Sequence, residues 1–426
     1  MKKILILAYF FPPSNFVGGK RIELWVKYFH KNGYYPIIVT RQWNNNQTSL
    51  VEKITNNTLI IERHDTHEIH RLPYRRSFRD KMTKYKFLKL LQKTLTFLEL
   101  VLSNFSISVL QYSNFYHHSL ELLKKNDIKF LIASGRPFHL FHMGFNLKNH
   151  YPNIHWIPDY RDEWTSHEKY PKNNFLQKTL HSLECRSEKK WTSNATKYIC
   201  VSSYLCNNIG GLVKKPSIII PNGFHTEKSI PSSIYPNLLD EYITMSYFGT
   251  IYPYQPIGKL INTLKKLINI HSTKYHFNIQ FFGIDTIPQE EKKIKGYCKD
   301  YKENFHFFNR LPQAKLKTHY ETSNFLLLTN YDDINEWLVA KVFDYAISGK
   351  PILYYPSDNG IMSSFIEKTN TGYIFKNENE FLMFFDEFLK NSSCKKYKKV
   401  INKEELNKFS VKSLTKNLVD HLDSID

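Results

Sequence analysis

At 426 residues the chain is too long for one ordinary domain, and roughly 100–200 residues per domain points to two. A hydrophobic fraction of 42% and a charged fraction of 23% exclude a wholly disordered chain. The formal net charge of +20 favours anionic partners (nucleic acid, lipid head groups or phosphorylated substrates) without choosing among them.

Lys3–Phe10 opens the chain as a continuous apolar run with basic flanks, which predicts a strand buried on both faces of a parallel sheet. Met1-Lys2-Lys3 before Ile4–Phe11 imitates a signal peptide, but Pro12-Pro13 follows at once and no small-x-small cleavage site is present. After Gly18-Gly19, Lys20–Lys31 predicts an amphipathic helix with Ile22, Trp25, Val26 and Phe29 on one face, closed by Asn32-Gly33. Pro36–Thr40 is the next strand, completing the β-loop-α-β opening of a Rossmann-like half. Arg71–Lys93 then carries nine Lys or Arg against one acidic residue, Asp80, with Tyr74, Phe78, Tyr85 and Phe87 interleaved. Leu88–Leu110 is apolar but interrupted by Lys93 and Glu99, so no transmembrane helix is expected.

Phe130–Ser134 predicts a strand running into Gly135-Arg136-Pro137, and Ile154–Pro158 one running into Asp159-Tyr160-Arg161-Asp162. Further strands are expected at Tyr198–Ser202 and Ile218–Ile220, the latter leading into Pro221-Asn222-Gly223. The alternation then restarts. Thr244–Phe248 is a strand, Gly249-Thr250 a loop, Ile257–Ile270 a helix and Phe277–Phe282 a strand closed by Gly283. Phe305–Phe308, Phe325–Thr329 and Pro351–Tyr355 are strands, Val339–Ser348 is a helix, and Val411–Leu422 is a short closing helix. The fold class is therefore α/β with two Rossmann-like domains, taken as residues 1–225 and 226–405, followed by a C-terminal helix in 406–426.

Cys185, Cys200, Cys206, Cys298 and Cys394 are odd in number and irregularly spaced, which argues against a disulfide framework and fits a reducing compartment. There is no GxGxxG, no P-loop frame, no HExxH and no GxSxG. His64, His67 and His70 lack a partner at ligand spacing and read as a solvated segment. Gly18-Gly19, between a strand and a helix, could offer backbone amides to an anion or be a plain turn. Asp159 to Trp164 stands at a strand's C-terminal end, where carboxylates around an arginine can hold sugar hydroxyls or simply cap a helix. The fullest constellation is Asn335 to Leu353. On a helix, Lys341 and Asp344 share a face, so a carboxylate can accept a ribose and an ammonium can meet phosphate; the plain alternative is a surface ion pair.

That segment resembles the Lys-Val-Phe-Glu-Tyr-Leu-Ala-x-Gly-Lys-Pro-Ile stretch of retaining GT-B glycosyltransferases of family four. Other segments resemble the same family in order: Tyr9–Gly19 its Pro-Pro…Gly-Gly opening, Ser134–His139 its Ser-Gly-Pro-Pro loop, and Asp159–Trp164 its Asp-x-Arg-Asp-x-Trp. Ile220–Gly223 resembles its Pro-Asn-Gly, and Tyr247–Tyr252 its Tyr-x-Gly-Thr-Leu-Tyr. The resemblance spans residues 3–375. It implies two Rossmann-like domains facing a cleft, with the C-terminal helix packing back on the first. It also implies transfer of a sugar from a nucleotide-diphospho-sugar to a saccharide or lipid-linked acceptor, with retention, no metal and no other cofactor.

By the same resemblance, Glu336 and Asp344 match an E-x7-E element, Asp344 meeting the ribose and Glu336 the donor sugar. Gly18, Gly19, Gly249, Thr250, Arg310 and Lys341 complete the expected donor site. Lys341, Glu336, Arg161 and Asp162 are the catalytic candidates, and Ser134, Arg136, His139 and Asp159 the acceptor side. The sequence departs from the family at two places: Asp344 is one methylene shorter than Glu, and Gln255 sits where related sequences often have Arg. Lys341 is then the first candidate for the clamp on the leaving diphosphate, and Arg310 the second. Within this frame Arg71–Lys93 becomes a candidate contact with an anionic membrane surface, placing a cytoplasmic protein peripherally on the inner face of the membrane. A sugar-nucleotide epimerase of similar build, a degenerate transferase that only binds, and a basic nucleic-acid-binding protein are the alternatives, the last without a recognisable module, so nucleic acid is not expected as a partner.

Overall fold

The computed structural model describes residues 1–14, 17–43, 58–74, 89–166, 175–225, 229–236, 241–311, 313–332, 337–390 and 394–425. Glu336 and residues 75–88 of the basic stretch lie outside the described residues. The chain forms two compact units, Met1–Pro221 with Val411–Asp426, and Asn222–Ser410.

The first unit is built on β1 (Lys2–Ala8), α1 (Val17–Phe29), β2 (Tyr34–Arg41), β3 (Ile60–Arg63), β4 (Glu68–Leu72), α2 (Lys89–Ser103) and α3 (Asn114–Lys125). It continues with β5 (Ile128–Ser134), α4 (His139–His150), β6 (His155–Tyr160), α5 (Phe175–Thr192), β7 (Tyr198–Cys200), α6 (Ser203–Val213) and β8 (Ser217–Ile219). The sheet order is β3-β4-β2-β1-β5-β6-β7-β8, parallel except for the antiparallel β3–β4 pair at one edge. Strand β1 is covered on both sides, as its unbroken apolar run requires: Leu5 and Leu7 join one core, Ile4, Ile6 and Ala8 the other.

The β3–β4 hairpin differs from the solvated loop expected around the histidines. His64 and His67 stack at its turn, and His70 is buried, with its Nε2 3.1 Å from Glu68 and its Nδ1 2.8 Å from His118 Nε2.

The closing helix, numbered last in the chain as α14 (Val411–Asp423), belongs to this first unit. Val411, Leu414, Leu418 and Leu422 recur at spacings of three and four, and they pack with Ile22, Trp25, Val26 and Phe29 of α1. Asp423 fixes the end of the helix by accepting from Lys2 Nζ and Tyr34 Oη, each at 2.8 Å.

The second unit runs β9 (Ser233–Ile234), β10 (Tyr242–Phe248), α7 (Ile257–His271), β11 (His276–Phe282), α8 (Pro288–Tyr297), β12 (Phe305–Phe308) and α9 (Gln313–Thr322). Then follow β13 (Phe325–Leu328), α10 (Ala340–Ala346), β14 (Ile352–Tyr354), α11 (Ile361–Thr369), β15 (Gly372–Ile374), α12 (Glu378–Lys390), β16 (Lys399–Val400) and α13 (Lys403–Asn407). Its main sheet is wholly parallel, in the order β12-β11-β10-β13-β14-β15, while β9 and β16 form a small antiparallel pair. In each main sheet the strand order reverses at one place. In the first it reverses at β1, between β2 and β5; in the second at β10, between β11 and β13. Ligands of open α/β sheets bind outside the C-terminal strand ends at such reversals.

Candidate functional site

At the reversal of the first sheet, the loop after β1, the loop after β5 and the end of β6 meet. Asp159 is fully buried and both its carboxylate oxygens are engaged: Oδ1 accepts from Arg21 Nε at 3.3 Å, Oδ2 from Ser134 Oγ at 2.8 Å. Arg21 also donates to Ile220 O at 2.7 Å and Pro221 O at 3.0 Å, and it lies 4.3 Å from the centre of the Trp25 ring. Burial lowers its pKa, opposed by Asp159. A buried guanidinium that bridges α1, β6 and the end of β8 makes this an internal clasp, with Ser134 and Asp159 serving it.

Sequence reasoning missed Arg21. The signal was its position on the apolar stripe of α1, one turn before Trp25, where an arginine must be buried and so needs a carboxylate.

Around this clasp, Arg161 donates from Nε to Gly135 O, and burial lowers its pKa against the pull of Asp162 and Asp159. Its guanidinium occupies the space where a Cβ on Gly18 would sit, Nη1 being the nearest atom. A Cβ on Gly19 would come within 3.1 Å of the Phe10 and Phe11 backbone. Both glycines are thus accounted for by close approach. Arg136 is exposed, and Asp162 beside Arg161 is exposed as well. His139 is turned elsewhere. The Ser103 hydroxyl donates to Leu100 O at 2.9 Å, so His139 Nε2–H donates to Ser103 Oγ at 2.8 Å. Burial and the nearby His142 push the His139 imidazole down to about 4, so the ring is neutral near pH 7.

At the reversal of the second sheet, the loops after β10, β11, β12 and β13 converge. Gly249 follows β10 at φ +99°, a conformation that glycine adopts without strain. A Cβ there would lie 3.5 Å from Lys341 Nζ. Gly283 adjoins both Gly249 and the backbone of Arg310, whose side chain is exposed and whose N–H donates to Asp285. Lys341 in the first turn of α10 is half-buried. Its ammonium donates to Tyr247 Oη at 2.7 Å and lies 4.0 Å from the centre of that ring. Desolvation pushes this ammonium down to about 7, and among the described residues no carboxylate forms an ion pair with it. Such a group is not the solvated partner of a surface ion pair: its partners are the Tyr247 hydroxyl and ring face.

Tyr247 is itself held. Gln255 Nε2 donates to its oxygen at 3.2 Å, and Gln255 Oε1 accepts from Tyr252 N at 2.9 Å. Asp344, one turn beyond Lys341, is half-buried beside Tyr320. The structure therefore gathers Gly249, Thr250, Lys341 and the Arg310 backbone at one strand-end crevice, and it leaves Glu336 outside the described residues. Among the described residues no group of three or more His, Cys, Asp or Glu side chains is placed to hold a metal, and no helix is long and apolar enough to cross a membrane.

Comparison with solved structures is decisive for the fold. Over its whole length the chain superposes on a sucrose-phosphate synthase from Thermosynechococcus elongatus, covering 99% of that chain with a TM-score of 0.62 at 15% identity. A UDP-forming α,α-trehalose-phosphate synthase from Burkholderia xenovorans matches at a TM-score of 0.60 and 9% identity, covering 100% of this chain and 99% of that one. A lipopolysaccharide outer core galactosyltransferase matches at 0.54 and 11% identity, each chain fully covered. The chain has the GT-B fold. No family model matches it, and no curated protein matches it by sequence. The GT-B assignment thus agrees with the motif resemblance, Rossmann-like unit by Rossmann-like unit.

Proposed function

We propose that this GT-B chain is a glycosyltransferase that moves a sugar from a nucleotide-diphospho-sugar to a saccharide or lipid-linked saccharide, retaining the anomeric configuration. The observation that carries the reading is Lys341: a desolvated ammonium without an ion-pair partner among the described residues, beside Gly249 at the switch point of the second sheet. Burying a cation there is costly unless an anion arrives to offset it. A diphosphate is such an anion, and α10 offers Asp344 one turn further on for a ribose.

Cleaving the anomeric C–O bond builds negative charge on the departing diphosphate and positive charge on the sugar. A fixed ammonium at the diphosphate, in a site of low dielectric, stabilises the transition state more than the ground state. The acceptor hydroxyl attacks from the leaving-group side, and the diphosphate takes its proton. Arg136, Arg161 and Asp162 of the first unit bind the acceptor, positioned by the Arg21–Asp159–Ser134 clasp. No resident metal is required for charge neutralisation in this scheme.

The lipid-linked acceptor is favoured by α2. Leu91, Leu98, Leu102 and the following Phe105 are 44%, 48%, 50% and 71% exposed, and in the sequence they overlap and follow the nine basic residues of 71–93. An exposed apolar stripe next to positive charge suits the surface of an anionic membrane, here the inner face of the cytoplasmic membrane. The end of α2 is bonded to His139 at the start of α4, four residues from Gly135.

Thermal unfolding with uridine, guanosine and adenosine diphosphates and their hexose conjugates tests the donor assignment. Saturating ligand at about 100 times Kd should stabilise the wild type by about 2.7 kcal/mol. Lys341→Met should lose most of that shift. Equal shifts in wild type and variant, or none in either, would reject the assignment. Sedimentation with anionic vesicles, comparing wild type with Leu98→Ser/Leu102→Ser, tests the membrane reading; unchanged binding would reject it.

A further inference from the structure

The second switch point carries a feature that diphosphate recognition does not use: four aromatic side chains on the two loops that flank it. Tyr252 and Tyr254 follow β10, and Tyr331 and Trp337 follow β13. Tyr252 and Tyr254 stack at 5.4 Å with 13° between planes. Tyr254 and Tyr331 lie 5.9 Å apart, and Tyr331 and Trp337 5.1 Å apart. The loops are joined by Asp332 N donating to Tyr254 O at 3.0 Å. Tyr331 is buried at the base, Trp337 and Tyr254 are half-buried, and Tyr252 is 36% exposed. The group is therefore an aromatic cluster built on a buried Tyr331, with Tyr252 its most exposed ring.

We propose that these rings form the platform on which the donor's hexopyranose lies, so that Tyr252 and Trp337 set the sugar contribution to donor affinity. This rests on the nucleotide-sugar reading above. Three observations support it. The platform stands at the sheet reversal where ligands of such sheets bind. It is coupled to the diphosphate clamp through a short chain of bonds: Tyr252 N to Gln255, Gln255 to Tyr247, and Tyr247 to Lys341. Last, Asp344 lies one turn past Lys341 on α10, while Trp337 stands three residues before the helix begins, N-terminal to its extended N-cap Val339, so a ribose at Asp344 and a diphosphate at Lys341 leave the sugar toward the N-terminal end of α10, where the chain enters from Trp337. A pyranose has an apolar C–H face that packs on aromatic rings. The negative faces of those rings also favour the positive charge that develops at the anomeric carbon.

The test compares each nucleoside diphosphate with its own sugar conjugate, by calorimetric titration of UDP, UDP-glucose, GDP and GDP-mannose. For Tyr252→Ala and Trp337→Ala, affinity for the sugar nucleotide that the wild type binds should fall about tenfold, with the affinity for its parent diphosphate unchanged. Tyr252→Phe and Trp337→Phe should restore the sugar nucleotide. A loss of the same size for the diphosphate would assign the rings to the nucleobase and overturn the proposal, since bases also stack on aromatics. Unchanged affinity for both ligands would remove the platform from the site. Wild type that binds none of the four would overturn the glycosyltransferase reading, and the platform with it.

Discussion

Asp159→Asn is the sharpest test of how the first unit is held. The substitution keeps the size of the side chain and an oxygen for Ser134, but it removes the carboxylate that Arg21 Nε bonds. The guanidinium keeps its bonds to Ile220 O and Pro221 O, so its donors are not all orphaned, yet its charge is left in the interior. Breaking a buried pair from one side costs about 3–5 kcal/mol. The two retained carbonyl partners place this case near the lower end, about 3 kcal/mol. For a unit of this size that is a fall of about 6–12 °C in Tm. Five of the six tryptophans (Trp25, Trp43, Trp156, Trp164 and Trp191) lie in the first unit, so tryptophan fluorescence during urea unfolding reports chiefly on it. Adding Arg21→Met to Asp159→Asn removes the stranded charge and should recover part of the loss. A single variant destabilised by less than about 1 kcal/mol, the range of an exposed pair, would refute the clasp. Strict additivity of the two substitutions would refute it as well.

Three further outcomes are expected. Sugar-nucleotide affinity should be flat below pH 7 and fall as pH rises above it: the Lys341 ammonium titrates at about 7 in the empty site, bound diphosphate raises that value, and binding above pH 7 must therefore take up a proton. Calorimetry in buffers of different ionisation enthalpy reads that uptake directly; a flat affinity profile over roughly two pH units above neutrality would count against it, and Lys341→Arg should flatten the profile. Glu188 is buried, accepts from Thr165 N at 3.2 Å and Thr165 Oγ1 at 2.5 Å, and burial raises its carboxyl pKa. The folded state then holds the proton more tightly than the unfolded one, so stability falls as pH rises from the ordinary glutamate range through the raised value; Glu188→Gln should abolish that slope in urea unfolding. Gly19→Ala should destabilise by about 1–3 kcal/mol because its Cβ meets backbone, whereas Gly18→Ala displaces only the Arg161 guanidinium and should weaken acceptor use more than stability, as separate denaturation and transfer assays would show.

The two parallel sheets were legible because strands such as Lys2–Ala8 and Tyr242–Phe248 are apolar on both faces, a pattern only a doubly covered sheet satisfies. The hairpin of Ile60–Arg63 and Glu68–Leu72 was not, because its edge strand is largely exposed and its charged residues read as loop. Lys341 and Asp344 were legible from spacing on one helix. The Tyr247–Gln255 support of Lys341 was not, because it depends on how the loop after β10 folds back on its own strand. Arg21 and Asp159 stand 138 residues apart, and neither residue alone announces the other.

The departure at Gln255 now has a physical account. A glutamine brings no charge to a diphosphate, and here it is turned inward, buried, and spent on fixing Tyr247. The phenol so fixed presents an acceptor to Lys341, the cation to which the proposed function assigns the clamp. A lysine suits that role in a way an arginine would not. The guanidinium stays charged at any physiological pH, so an empty site lined by it needs a permanent counter-ion or open water. An ammonium that titrates at about 7 can lose its proton when the site is empty and regain it with the ligand. On the proposed reading the charge is then greatest when a diphosphate is present to meet it, so that Lys341 would distinguish an occupied site from an empty one.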